Sequence, residues 1–151
     1  KKMNSAIKLH MIGKLQTNKV KVAVQIFDYI HSVDSEKLAR KIADEQIKIN
    51  KKIKIFLQVN IGDEYQKSGI NKDGTERLVS FSKRIGLNVI GLMCIPPINT
   101  DPEGYFIEMN KLKKDFGLDE LSMGMSSDYL TAIKHMSTYV RIGSSIFGQR
   151  S

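Results

Sequence analysis

Residues 53–94 read IKIFLQVNIGDEYQKSGINKDGTERLVSFSKRIGLNVIGLMC. The first nine, 53–61, are rich in β-branched and apolar side chains and stop at the turn residues Gly62 and Asp63, which predicts a strand. Over 75–85, Leu78, Phe81 and Ile85 recur three and four apart, which places them on one face of a helix. Asn88–Cys94 is a second short apolar run. A strand, a helix and a strand in this order form a parallel crossover unit, because two parallel strands need a long connection to return the chain to the same end.

The same alternation extends in both directions. Strands are expected at 8–12, Tyr29–Val33, 120–123 and 139–142, and helices at 14–26, 35–48, 102–116 and 126–135. Ser35 is placed to cap the second of these helices, with Leu38 and Ile42 four apart behind it. Asp128 is expected in the first turn of the last one, where it suits the helix dipole. Strands alternating with helices along the whole chain predict an α/β fold with a parallel sheet. The strands are short and evenly spaced, and no GxGxxG turn marks a dinucleotide site, so a barrel is favoured over an open sheet. A TIM-type (β/α)8 barrel has eight such units over about 250 residues. The chain, 1–151, therefore reads as a single partial barrel domain with about six of the eight units.

Composition narrows the function. The 151 residues are 41% hydrophobic and 26% charged, as expected for a globular domain with a real core. No apolar run approaches the roughly 18 residues that span a bilayer, so no membrane partner is expected. The single cysteine, Cys94, excludes an internal disulfide framework and suits a reducing, cytoplasmic compartment. The formal charge is +8, but the lysines are dispersed over helices and strand ends, and no nucleic-acid motif or stacking platform accompanies them. No nucleic-acid partner is expected, and a polyanion-binding role is the weaker reading.

In parallel barrels the reactive groups sit just past the C-terminal ends of the strands. Two of these segments carry the same equipment. In SMGMSSD, Gly124 allows a turn and Ser126 opens the next helix. In RIGSSIFG, Gly143 lets backbone approach a ligand, Ser144 offers a hydroxyl and an N–H, and a short helix near Ser145 would point free N–H groups at an anion. Loops after the last two strands commonly form a phosphate site. The bland alternative is that Ser126 only caps its helix and Gly143 only ends its strand.

Five segments, HMIGKLQTNKV, FLQVNIGDEYQKSGI, GLMCIPP, LSMGMSSDYLTAI and VRIGSSIFGQR, occur in an order that resembles the YggS/PROSC family of pyridoxal phosphate homeostasis proteins, relatives of the alanine racemase barrel. The resemblance implies a pyridoxal 5′-phosphate (PLP) site. Ser126, Gly143 and Ser144 match phosphate-holding positions, with Ser122 nearby, and Arg141 matches the arginine that faces the pyridine nitrogen. Arginine only donates hydrogen bonds and stays charged, so it keeps that nitrogen unprotonated and the ring a weaker electron sink. The family's Schiff-base lysine lies in a first-strand context like AVSKTKP, which this sequence lacks, so the resemblance implies a C-terminal fragment of the barrel. Lys67 in QKSGI is the nearest substitute anchor, its bland alternative being an exposed turn lysine; Lys19 could add charge near the mouth. A separate N-terminal chain completing the barrel is a possible partner.

The expectation is thus a PLP-binding protein of cofactor homeostasis, a non-catalytic carrier or buffer. The alternatives are a remnant or one half of a split PLP protein, and, less favoured, a racemase-like enzyme, which would need a base from a second domain. His10, His31 and His135 lie far apart and match no metal-ligand spacing; His10 and His31, on strands, read as hydrogen-bonded core or rim residues. Cys94 reads as a buried thiol, and Asp63 with Glu64 as a solvated turn.

Overall fold

The computed structural model describes residues 7–148, so Gln149 and Arg150 of the last motif lie outside the described residues. Six strands form one sheet in sequential order, every neighbouring pair parallel. They are β1 (His10–Met11), β2 (Tyr29–Val33), β3 (Lys54–Val59), β4 (Asn88–Cys94), β5 (Glu120–Met125) and β6 (Tyr139–Arg141). The helices between and after them are α1 (Val20–Ile26), α2 (Glu36–Lys48), α3 (Lys72–Arg84), α4 (Glu103–Asp115), α5 (Tyr129–Lys134) and α6 (Ser144–Phe147). A 3-10 turn, Thr17–Lys19, leads into α1.

The sheet is rolled. In a flat sheet the first and sixth strands would stand about 24 Å apart, five spacings of about 4.8 Å. Here the ring of His10 on β1 and that of Tyr139 on β6 are 5.8 Å apart, centroid to centroid. The six units therefore curve as an open barrel, as the strand and helix order predicts.

Period-two alternation divides the strand residues between two packing layers. Ile55, Leu57, Leu92, Leu121 and Met123 face the helices and pack with Ile42, Leu78, Phe106 and Met109 in one continuous core. Burying each such side chain contributes about 1.5–3 kcal/mol. The alternate positions, among them His31, Phe56 and Tyr139, gather their rings on the inner side. Gly91 makes room for them: a Cβ there would run into the Glu120 carbonyl and stand 2.8 Å from the Phe56 ring.

Several boundaries move from expectation. The first strand pairs only at His10 and Met11, and Gln16 is still extended, so the expected helix over 14–26 begins at Thr17. The third helix starts three residues early because Asn71 caps it by accepting from the Gly74 N–H. Ser35 caps α2 as expected, accepting from Leu38 N–H at 3.4 Å. The last long helix is shorter: α5 starts at Tyr129, with Asp128 at its cap position rather than in its first turn. The Asp128 carboxylate accepts from the Met125 N–H at 2.6 Å and holds 126–128 as a turn. Among the described residues no helix is long and apolar enough to cross a membrane.

Candidate functional site

The C-terminal end of the barrel carries a cavity of about 490 Å³ lined by Met125, Ser126, Ser127, Arg141, Gly143, Ser144, Phe147 and Gly148. Four of the five expected site residues are among them. A second cavity of about 680 Å³ shares Met125, Arg141 and Gly143 with the first and continues inward over His10, His31 and Tyr139. Both volumes lie in the range of small-ligand sites. Arg141, with Met125 and Gly143, forms the wall common to the two.

Ser126 does not cap α5. Its hydroxyl oxygen accepts from the Gly143 N–H at 3.2 Å and the Ser145 N–H at 3.3 Å, across from its own strand. Two backbone donors thus converge on one oxygen at the start of α6. Gly124 supplies the geometry beneath: its φ is +92°, and a Cβ would stand 2.6 Å from the Ala132 Cβ and 2.9 Å from the Tyr129 Cα. Glycine is needed there both for its backbone conformation and for the close seating of α5. At Gly143 a Cβ would meet only open space, so the room beside it belongs to the cavity.

Arg141 is largely buried. One guanidinium nitrogen donates to the Ser122 hydroxyl and the other to the Cys94 carbonyl, each at 2.9 Å. No ion pair holds it among the described residues. Burial lowers its pKa below the ordinary arginine value, with Cys94 and Asp128 acting the other way. Ser122 lies one layer deeper than expected. It is fully buried, lines neither cavity, and reaches the site through Arg141.

Beneath Arg141 runs a series the sequence reading did not find. The Ser122 hydroxyl lies 2.8 Å from His31 Nδ1, and His31 Nε2 lies 2.9 Å from His10 Nδ1. Two histidines read as unrelated are therefore neighbours. Burial, then His10, then Arg141 pull the His31 pKa down to about 3, so the ring is neutral. The signal was period-two spacing: Tyr29 and His31 on β2, and Tyr139 and Arg141 on β6, are polar or aromatic at alternate positions where an apolar stripe would be the default. His135 stands apart and meets Glu103 at 2.9 Å.

Lys67 is not an exposed turn lysine. It pairs with Glu64 at 2.6 Å and donates to the Pro96 carbonyl at 3.2 Å. It lines a smaller cavity of about 350 Å³ that shares Ile12, Gly13 and Ile95 with the inner one. Asp63 pairs with Lys72 instead, so the two adjacent carboxylates diverge. Lys19 is exposed at the end of the 3-10 turn and lines none of these cavities.

The model of the alanine racemase N-terminal domain family matches residues 3–151. The chain belongs to that family. Within it, its relatives are pyridoxal phosphate homeostasis proteins. The one from Aquifex aeolicus is 37% identical over 151 residues, covering 93% of this chain and 66% of its own length. That from Vibrio alginolyticus is 36% identical, covering 97% and 67%. The chain thus spans about two thirds of the curated relatives it matches. Among solved structures, PipY of Synechococcus elongatus without PLP superposes with a TM-score of 0.90 at 30% identity, over 96% of this chain and 73% of PipY. The PLP-bound form of PipY gives 0.84 over 94% and 71%. An alanine racemase from Clostridium difficile, at 13% identity and a TM-score of 0.70, shares the fold.

Proposed function

We propose that this chain binds PLP at the C-terminal end of the barrel and holds it as a carrier or buffer rather than as a catalyst. The observation that carries the reading is Arg141: a largely buried cation with no acidic partner among the described residues, beside two N–H groups that converge on one oxygen. In this reading Ser126, Gly143 and Ser144 hold the phosphate, Ser122 supports Arg141 from below, and Arg141 faces the ring nitrogen. The donor set fits, since backbone N–H groups and hydroxyls at a helix start suit a phosphate, and a donor-only guanidinium suits an unprotonated pyridine. Bound PLP supplies an electron-withdrawing ring, and an arginine at its nitrogen weakens that property. Relatives named for PLP homeostasis and a neighbour whose structure has PLP bound support the reading.

Lys67 enters as the residue able to anchor the cofactor covalently if it leaves Glu64. A separate chain supplying further strands forms no part of this reading. A cytoplasmic location is part of it, in keeping with the buried free thiol of Cys94.

The test is a PLP titration of the purified chain, followed by borohydride trapping and peptide mapping. Saturable binding is expected, and Ser126→Ala should weaken it about 5- to 30-fold, the loss of one hydrogen-bonding group worth about 1–2 kcal/mol. An adduct confined to Lys67 would give that lysine the anchoring role. Absence of saturable binding by the folded chain would sink the proposal.

A further inference from the structure

The Ser122 hydroxyl is fully buried and meets two groups, Arg141 Nη1 at 2.9 Å and His31 Nδ1 at 2.8 Å. A guanidinium N–H can only donate, so the oxygen accepts from Arg141. The serine's own proton then has one acceptor, His31 Nδ1. That fixes the tautomer: His31 accepts at Nδ1 and carries its proton on Nε2, from which it donates to His10 Nδ1 at 2.9 Å. Every bond in the series runs away from the arginine.

The ring that receives the serine proton cannot turn freely. It stacks on Phe56 at 4.2 Å and 21°, and Tyr139 meets it edge-on at 5.9 Å. The opposite nitrogen of Arg141 is held by the Cys94 carbonyl at the end of β4. The guanidinium plane is thus fixed at two points on two strands, β4 directly and β5 through a serine whose orientation depends on β2.

We propose that His31 is a positioning residue for Arg141: by accepting the Ser122 proton at Nδ1 it turns the serine lone pairs toward the guanidinium and locks its plane at the cavity wall. What the locked plane faces rests on the PLP reading above. The lock itself does not. Removing Nδ1 leaves a buried hydroxyl whose proton has no acceptor, and its simplest relief is rotation toward the guanidinium, which breaks that anchor.

Two substitutions separate this role from space-filling. His31→Phe keeps a ring on Phe56 and loses Nδ1. His31→Asn loses the ring but keeps an acceptor bonded to Cγ, as Nδ1 is. The readout is the rate at which an arginine-specific dicarbonyl reagent modifies Arg141, followed by peptide mass, beside a PLP titration of the same proteins. Arg141 should be protected in the unsubstituted chain and react about tenfold faster or more in His31→Phe and in Ser122→Ala. His31→Asn should restore most of the protection, and PLP affinity should follow the same order. Wild-type protection in His31→Phe with loss in His31→Asn would overturn the proposal in favour of a packing role. Should His31→Phe not fold, nitrogen-15 shifts of the His31 ring decide: a protonated Nε2 with an acceptor Nδ1 supports it, and the reverse tautomer overturns it. If the chain binds no PLP while the reactivity series holds, the cofactor reading falls and the positioning role stands. If PLP binds and the series is flat, the positioning role falls alone.

Discussion

Replacing Arg141 with methionine should separate binding from stability. The arginine gives two hydrogen bonds, to the Ser122 hydroxyl and the Cys94 carbonyl, and has no carboxylate partner among the described residues. Asp128, the carboxylate that acts on it from a distance, is engaged with the Met125 N–H. Methionine of similar length removes the desolvation of a buried charge, a relief of about 1–4 kcal/mol where ionic groups have been replaced by apolar ones. It also abandons the charged hydrogen bond to the Cys94 carbonyl, which costs about 1.5–3 kcal/mol, while the Ser122 hydroxyl keeps His31 as a partner. These terms oppose each other, so the unfolding free energy should shift by no more than about 2.5 kcal/mol in either direction. Cofactor binding has no such offset. It should lose the same 1.5–3 kcal/mol or so, a fall in affinity of about 10- to 150-fold. Urea unfolding followed by circular dichroism measures the first quantity, and a PLP titration of the same samples the second. A variant destabilised by more than about 4 kcal/mol would make Arg141 a structural strut, and undiminished PLP affinity would remove it from the site; either result refutes the reasoning.

Gly124→Ala should destabilise by about 2–4 kcal/mol, since it combines a left-handed φ with overpacking against Tyr129 and Ala132. The urea midpoint should drop and PLP affinity with it, because the turn carrying Ser126 moves; an unchanged midpoint would contradict the close seating. Burial pushes the Cys94 thiol up to about 12, so a thiol reagent should label it only at the rate the chain unfolds, and fast labelling of native protein would argue against this burial. Hydrogen bonds from Lys41 and Lys48, each 2.8 Å, hold Glu45 down at about 2 against an ordinary 4.5. A folded pKa below the unfolded one gives a contribution that is complete above pH 4.5 and lost as pH falls toward 2. Glu45→Gln should therefore flatten the stability curve in that window, and superimposable acid-unfolding curves would exclude the effect.

The order of elements was legible because each unit carries its own punctuation. Leu78, Phe81 and Ile85 mark a helix face whatever surrounds them, and Asn88–Cys94 is a strand on local grounds. Boundaries slipped where a single side-chain hydrogen bond decided, the Asn71 cap on the Gly74 N–H and the Asp128 bond back to the Met125 N–H, since no periodicity reports such a bond. The resemblance named Ser126, Gly143 and Ser144, and the fold sets them around one cavity. The bonds that the Ser126 hydroxyl accepts were not legible, because their donors, Gly143 and Ser145, lie one strand away.

The buried series was illegible for a different reason. Each of His10, His31 and Ser122 taken alone reads as an ordinary strand residue that will find a partner. What makes them a series is a level shared by β1, β2 and β5 in a rolled sheet. The register His10↔Tyr29 on β1 and β2 sets His10 beside the β2 inner row, and Ser122↔Tyr139 does the same for β5 and β6. Register alone still leaves β2 and β5 three strands apart. Only the roll, whose inner row holds Phe56 against His31 and Tyr139 against both, brings a hydroxyl on β5 within 2.8 Å of a ring on β2. A long-range polar contact of this kind follows from curvature, and curvature is a property of all six strands together. The residues that hold Arg141 are therefore recovered from the fold, while Arg141 itself is recovered from its motif.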